Sequence, residues 1–416
     1  MIFRWLIFLL FIFCLNIYSS QAIKTLTKSS WIQYIFIILN IIVLANFIIQ
    51  TYFLDRSELT SPYFSYSLGI FLTAAIFQLL VIIFILFEDL FRIPQWIYHI
   101  LSKGLGNSFN FMPERRHFIS QLAVILASIP ASALFIGMLR GKYSYRVINH
   151  ILTFENLPKD FDGFKIAHIS DFHCGSFDNV KKLSYGINMI NQQKPDIILF
   201  TGDMVNNIAK EIIPWKEIIS ELSAPNGKYA ILGNHDYGDY IKWSSSEEKL
   251  KNFENLQFLL KEMGFKVLLN TSEKIKVNNS TISLIGVENW GRGGFKKNGD
   301  LDLATKNIKP SDFKILMSHD PSHWEDKVIN HKHHIDLTLS GHTHGMQFGI
   351  EIPGWIKWSP IQYRYKYWAG IYKEKNQIIN VNRGFGFLAY PGRVGIYPEI
   401  SILELKSNSK SNIPQS

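Results

Sequence analysis

The apolar and polar positions along the chain fall into two textures. Trp31–Leu54, Phe64–Phe87 and Phe118–Leu139 each run for more than twenty residues without a charged side chain. At about 1.5 Å per residue, each is long enough to cross a hydrocarbon core of about 30 Å, so three transmembrane helices are expected, over about 31–54, 64–87 and 118–139. The opening run, Trp5–Tyr18, is shorter, follows Arg4 and ends near Ser20-Gln21-Ala22, and reads either as a fourth helix or as a cleaved signal. Gln21–Ser30 has the character of a hairpin connection, which favours a retained helix over about 2–19 and a membrane anchor over residues 1–142. The polar residues inside these runs include the amides Asn40, Asn46, Gln50 and Gln78, which are expected to hydrogen-bond between helices. With no ionisable side chain at membrane depth, transport and proton relay are poorly supported.

From Val147 the texture changes to short β-branched apolar runs alternating with polar helical stretches, the pattern of an α/β domain over 147–405. Lys165–Ser170, Asp196–Thr201, Tyr229–Leu232, Ile282–Val287, Lys314–Met317 and Asp336–Leu339 read as buried strands. Flanking helices are expected near 179–192, 212–222 and 247–263. The tail 406–416, rich in Ser, Asn and Lys, reads as disordered.

Charge sharpens this division. Up to Arg146 there are 11 Lys and Arg against 5 Asp and Glu; beyond it, 32 against 29. The excess therefore flanks membrane segments, and the near-balanced remainder gives no footprint for nucleic acid. Cys14 and Cys174, one in an apolar run and one in the soluble half, form neither a disulfide framework nor a thiolate zinc site. Cys174 is either an extra soft ligand or, better supported, a small packed residue.

Five motifs follow in order, each where an expected strand stops: Asp171-Phe-His173, Gly202-Asp203, Gly233-Asn234-His235-Asp236, His319 and Gly341-His342-Thr-His344. Loops at the carboxyl ends of neighbouring strands converge on one crevice. Carboxylates, an amide and imidazoles gathered there are a donor set for two divalent ions, with a carboxylate between them to relieve their repulsion.

This order resembles the calcineurin-like metallophosphoesterase superfamily across about Ile148–Leu405. Ile169-Ser170-Asp171-Phe172-His173, Leu339–Gly345 and Asn382-Arg383-Gly384-Phe385-Gly386 resemble its membrane-associated branch, which includes bacterial enzymes related to UDP-diacylglucosamine pyrophosphatases. The resemblance implies a four-layer αββα sandwich, here preceded by an all-α transmembrane bundle. It implies two divalent metal ions, Mn, Fe or Zn, one held by Asp171, His173, Asp203 and His344 and the other by Asp203, Asn234, His319 and His342. It further implies attack on a phosphodiester or pyrophosphate by a hydroxide bridging the ions. His235, beside a ligand but not needed as one, would contact the phosphoryl oxygens or protonate the leaving group. Asp236 would orient its neighbours, with its partner open, since the family often has Glu there. Met346 stands where many relatives have a second glycine.

Other histidines draw blander readings: packing for His168, exposed polar surface for His323, His331, His333 and His334. The aromatic and cationic segment Trp355–Trp368 reads as a lipid-headgroup contact, an interfacial element or a nucleobase platform, with an ordinary core hairpin as the equal alternative. Arg115-Arg116 and the apolar run after them resemble an internal twin-arginine export signal; as an ordinary basic flank they would also stay inside, which puts the catalytic domain on the extracytoplasmic face. A phosphoester substrate, lipid-linked forms among the candidates, and membrane lipids are then the expected partners. The competing expectation is a catalytically idle, metal-stabilised binding module on the same anchor.

Overall fold

The computed structural model describes residues 2–52, 62–102, 113–352 and 354–408. Two compact units emerge, Leu139 closing the first and Arg140 opening the main run of the second.

In the first unit, helices Ile2–Leu26, Ser30–Tyr52, Pro62–Ser102 and Pro113–Leu139 are each long and apolar enough to cross a membrane. The opening run is thus one continuous helix reaching Leu26, seven residues beyond the expected end. The third helix passes Phe87 and continues for 41 residues in all, through Pro94. The amides join helices as their positions suggested: Asn46 Nδ2 donates to Ser67 Oγ at 2.8 Å, and the Gln78 amide donates to Asn40 Oδ1. Charge appears just past the apolar stretch, where the Glu88 carboxylate pairs with Arg92, Arg115 and Arg116, and Tyr18 donates to Asp89. Residues 53 and 54 of the second apolar run lie outside the described residues.

The second unit holds two six-stranded sheets. The first runs in the order Arg146–Phe154, Glu399–Ser407, Lys165–Ile169, Ile197–Phe200, Lys228–Ala230, Phe265–Val267; the second runs Gly370–Glu374, Gln377–Val381, Leu337–Ser340, Lys314–Met317, Ser280–Gly286, Thr271–Val277. Their facing sides meet in one core: Ile166, Leu199 and Leu403 from the first sheet pack with Leu284, Ile315 and Leu339 from the second. The outer face of the first sheet is covered by helices Val180–Gln192 and Ser246–Glu262 through Leu183, Ile187, Leu256 and Leu260. Short helices Leu301–Thr305 and Ser322–Asp326 cover the second through Leu301, Ala304 and Trp324. Helix, sheet, sheet, helix are the four layers expected.

All six expected strands are present within two residues of their expected ends. The helix expected over 212–222 is instead a 3₁₀ segment, Ala209–Trp215, followed by a short α-helix, Lys216–Ser220. Pro214 has no N–H to donate and blocks an α-helix there. The closing strand runs through Ser407, so Lys406 and Ser407 are ordered parts of the sheet, while residues 409–416 lie outside the described residues.

Candidate metal centre

Each of the five motifs sits immediately past the carboxyl end of a strand. Strands 165–169, 197–200 and 228–230 run parallel in the first sheet, as do 314–317 and 337–340 in the second. The loops are tied to one another through their backbones: Asp171 N–H donates to the Gly202 carbonyl at 2.9 Å, and Gly341 N–H to the His319 carbonyl at 2.9 Å. The glycines are there for close approach. A Cβ on Gly233 would lie 2.1 Å from Asp203 Oδ1, and one on Gly341 2.2 Å from Asp171 Oδ2.

Five of the seven candidate ligands are in the left-handed region: Asp171 (φ 55°), His173 (50°), Asp203 (59°), His342 (70°) and His344 (49°). For residues with a Cβ each such conformation costs on the order of 1 kcal/mol or more, and it persists only where the surroundings impose it. Strain concentrated at these positions marks loops shaped by a site rather than by local propensity.

Two groups result. Asp171, His173 and His344 offer ligand atoms within 4.8 Å of one another, and so do Asp203, His319 and His342. In the first, His173 Nε2 and His344 Nε2 are 3.0 Å apart, and His344 Nε2 is 3.2 Å from Asp171 Oδ1. In the second, His319 Nε2 is 3.1 Å from Asp203 Oδ2 and 3.3 Å from His342 Nδ1. Asp203 Oδ2 is also 3.6 Å from His173 Nε2, so one oxygen faces both groups. Asn234 donates through Nδ2 to the Tyr240 hydroxyl at 2.7 Å, which fixes the amide, and its buried Oδ1 has no hydrogen-bond partner among the described residues. A buried acceptor left open beside two carboxylate–imidazole groups fits a divalent ion as its missing partner.

The electrostatics agree with that fit. Burial alone would push the Asp203 carboxyl up, yet the His319, His235 and His173 imidazoles outweigh it and hold the group well below the carboxylate range. Burial likewise works against charge on His319, but Asp203, with Asp171 adding, raises it to about 10. The anionic Asp203 oxygens thus meet a cationic His319 ring, a stand-in for positive charge that an ion would bring, whereas burial holds His173 and His342 toward the neutral form a ligand needs.

His235 Nδ1 is 2.7 Å from the Asn206 carbonyl, so the ring donates there and Nε2 is left for other work. Asp236 is fully buried and takes its hydrogen bonds from backbone: Oδ2 accepts from Asp203 N–H (2.8 Å) and Gly233 N–H (2.9 Å), Oδ1 from Met204 N–H (2.8 Å). The partner left open in the sequence is therefore the backbone of the two ligand loops, which Asp236 clamps together. Burial and the nearby Asp203 charge raise its carboxyl to about 7.

Three residues carry support the motifs did not reveal. Tyr365 OH lies 2.9 Å from His342 Nε2, Asp320 Oδ2 lies 3.4 Å from the same atom, and the Thr201 carbonyl is 2.7 Å from His319 Nδ1. Asp320, beside His319, was legible as an acid next to a ligand; Tyr365 was visible only as one aromatic among several. The Asn382–Gly386 segment packs beneath the first motif, with Phe385 N–H donating to the Ser170 carbonyl and Gly386 N–H to the Asp171 carbonyl. Buried Arg393 holds that segment through the Gly384 and Gly386 carbonyls and places Nη2 3.2 Å from His344 Nδ1.

Among the other histidines, His168 is buried between Thr201 Oγ1 (3.0 Å) and Asn380 Nδ2 (2.7 Å). His323 corrects the expectation of exposed surface: it is buried, 2.8 Å from Ser318 Oγ and packed on Trp290. Cys174 is buried with its Sγ 3.7 Å from Met204 Sδ, a packing position. The Trp355–Trp368 segment divides: Tyr365, Tyr367 and Trp368 are buried, whereas Trp355 and Tyr363 are exposed.

A strand-end centre with two carboxylate–imidazole groups on an αββα sandwich defines a metallophosphoesterase. The chain belongs to the calcineurin-like phosphoesterases: that family's profile matches residues 164–346, and a profile described as a probable calcineurin-like phosphoesterase transmembrane domain matches residues 3–142. Similar curated proteins include the uncharacterized metallophosphoesterase YkuE of Bacillus subtilis, 31% identical over 71% of this chain and 99% of its own length. Phosphodiesterase YaeI of Escherichia coli is 27% identical over 71% of this chain and 100% of its own. UDP-2,3-diacylglucosamine pyrophosphatase LpxG of Chlamydia trachomatis is 27% identical over 56% and 81%. The protein is an integral membrane hydrolase of this family, and divalent metals are its implied cofactors.

Proposed function

We propose that the protein hydrolyses phosphodiester or pyrophosphate bonds at a two-ion centre, on a lipid-linked substrate. Asp203 carries this reading, because its Oδ2 faces His173 of one group and His319 of the other. Asp171, His173, Asp203 and His344 would hold one ion; Asp203, Asn234, His319 and His342 would hold the second. When bound, such ions neutralise phosphate charge and bring the acidity of a water into the neutral range.

The protein's own groups supply the rest. Asp236 keeps the Asp203 and Asn234 loops in register. Tyr240 turns the Asn234 amide so that Oδ1 is presented. His235, its Nδ1 committed to the Asn206 carbonyl, is a donor at Nε2 only when doubly protonated, and in that form would hydrogen-bond a phosphoryl oxygen or give its proton to the leaving oxygen. Comparing wild type with His235→Ala on bis(p-nitrophenyl) phosphate, with Mn²⁺-loaded full-length protein, tests the assignment. Turnover should fall about 100-fold or more while both ions stay bound; unchanged turnover would remove His235 from the reaction.

We place the catalytic domain outside the cytoplasm, because either reading of Arg115-Arg116 keeps the start of the fourth helix inside and its end at Leu139 outside. An outward domain cannot reach a cytoplasmic UDP-linked lipid, so the substrate suggested by the pyrophosphatase relative is set aside for other lipid phosphodiesters or pyrophosphates. Alkaline phosphatase and a cytoplasmic reporter fused after Ser416 decide this, and signal from the cytoplasmic reporter alone would overturn it.

A further inference from the structure

Between two of the candidate ligands and their support, the chain makes a hairpin that leaves apolar side chains of one face exposed. Strands Ile350–Ile352 and Ile356–Trp358 pair antiparallel, with Ile350 opposite Trp358, Glu351 opposite Lys357 and Ile352 opposite Ile356. Side chains alternate across a strand, so Ile350, Ile352, Ile356 and Trp358 share one face, and Glu351 and Lys357 the other. The polar face is the one held by the protein: Glu351 Oε1 pairs with Arg383 Nη2 at 2.5 Å, and Lys357 Nζ donates to the Ala369 carbonyl beside the rings of Trp368 and Tyr372. The apolar face looks outward. Ile350 is 50% exposed, Ile352 44%, Ile356 39%, and Trp355 at the turn 78%.

Scattered exposed apolar residues need no explanation, but three isoleucines exposed on one face and topped by tryptophan do, with Glu351 and Lys357 tied to the protein at their charged ends although Lys357 is itself exposed and Trp358 is half-buried. The hairpin is also rigidly attached to the centre at both ends. It leaves His344 through a left-handed turn ending at Gln347, its exit is pinned by Ser359 Oγ donating to the Gly345 carbonyl at 2.8 Å, and the chain then reaches Tyr365, whose hydroxyl meets His342. Exposed Tyr363 and Arg364 directly precede Tyr365, an aromatic and a cation of the kind that settle at lipid headgroups.

The chain's own four apolar helices hold this domain at a bilayer, which supplies an occupant for such a face. We propose that the Ile350–Trp358 hairpin inserts its apolar face into that bilayer, seating the mouth of the centre on the headgroup layer. Its substrate is then an amphiphile whose phosphate is hydrolysed while its apolar part stays in the membrane. This rests on the phosphoesterase reading above and narrows its substrate class.

The test uses full-length protein in nanodiscs of phosphatidylcholine and phosphatidylglycerol doped with bromine-labelled phosphatidylcholine. In a Cys14→Ser background, Ile352→Cys carries an environment-sensitive fluorophore, and Ser223→Cys, exposed elsewhere on the domain, is the control. Emission at position 352 should be blue-shifted and quenched by the brominated lipid, and that at position 223 should not. Blue shift without bromine quenching would mean that a second copy or another protein covers the face, and no shift would mean that water does; either overturns insertion. In parallel, Ile352→Glu/Trp355→Glu should lower turnover of disc-embedded phosphatidyl-p-nitrophenol about tenfold and leave bis(p-nitrophenyl) phosphate turnover unchanged, with Trp355→Phe retaining both. Equal loss on both esters would overturn the substrate class. If wild type hydrolyses neither ester while position 352 is quenched, insertion is upheld and the phosphoesterase reading is what fails.

Discussion

The two candidate ion groups are built from the same residue types but are supported differently. In the Asp203 group every imidazole has an outer partner suited to a ligand. His319 donates from Nδ1 to the Thr201 carbonyl, and His342 turns Nε2 to Tyr365 and Asp320, leaving the other nitrogen of each ring for an ion. In the Asp171 group the buried Nδ1 of His173 has no partner among the described residues, and that of His344 faces the Arg393 guanidinium, which can only donate. Outer partners that accept a proton strengthen a histidine ligand, and a buried cation opposes an incoming one. The lesson is that one centre can hold two unequal sites: the ion at the Asp203 group should be the tighter, and graded chelation should strip the Asp171 group first. Loss of both ions in one step would contradict the difference.

The largest effect is expected where the groups meet. Asp203→Asn removes the one carboxylate oxygen shared by both and should lower kcat/KM on a phosphodiester by about a thousandfold or more, with metal content falling at both sites. If only one site empties, Asp203 is not shared.

A second test works through the support of the sheets rather than the ions. His168 and His323 are kept neutral by burial, each lowered from 6.5 to about 4. Above pH about 6.5 neither the folded nor the unfolded state protonates them; as the pH falls toward about 4 the unfolded chain gains protons that the fold refuses, so stability is lost with acid, by up to about 3 kcal/mol for each ring. Thermal unfolding followed across that range should flatten in His168→Gln relative to wild type, and an unchanged slope would remove His168 as a source.

Tyr365→Phe should sharpen or erase the inequality itself. Loss of the hydroxyl on His342 Nε2 should weaken the Asp203-group ion about tenfold and leave the Asp171-group ion unaffected, measured by competition with a fluorescent chelator. The smallest change is expected at Met346, held at φ 55° and 56% exposed. Met346→Gly removes a left-handed strain and should raise unfolding stability by about 1 kcal/mol without altering metal content.

Much of the centre was legible because its motifs sit at strand ends and strand ends converge; Asp171, Asp203, Asn234, His319, His342 and His344 all lie where their strands point. The support was not, because it is set by contacts across the fold. Asp236 offers the same letter whether it faces a ring or a backbone, and only the approach of the Gly202 and Gly233 loops makes it a clamp. His323 lies in a polar-looking stretch but turns inward onto Trp290. Glu399–Ser407 completes the first sheet by lying between the opening strand and Lys165–Ile169, a pairing of distant segments that local pattern does not encode. The hairpin at Ile350 shows the limit most plainly: alternation separates two faces, but which one the protein holds depends on Arg383 and Trp368, both outside it.

The most direct test of a two-ion phosphoesterase is the metal stoichiometry of its activity. Full-length protein stripped of metal and titrated with Mn²⁺ should regain turnover of bis(p-nitrophenyl) phosphate only as a second ion binds each chain, the first filling the Asp203 group in silence. Full turnover with one ion, or turnover that survives complete chelation, would contradict the two-ion centre.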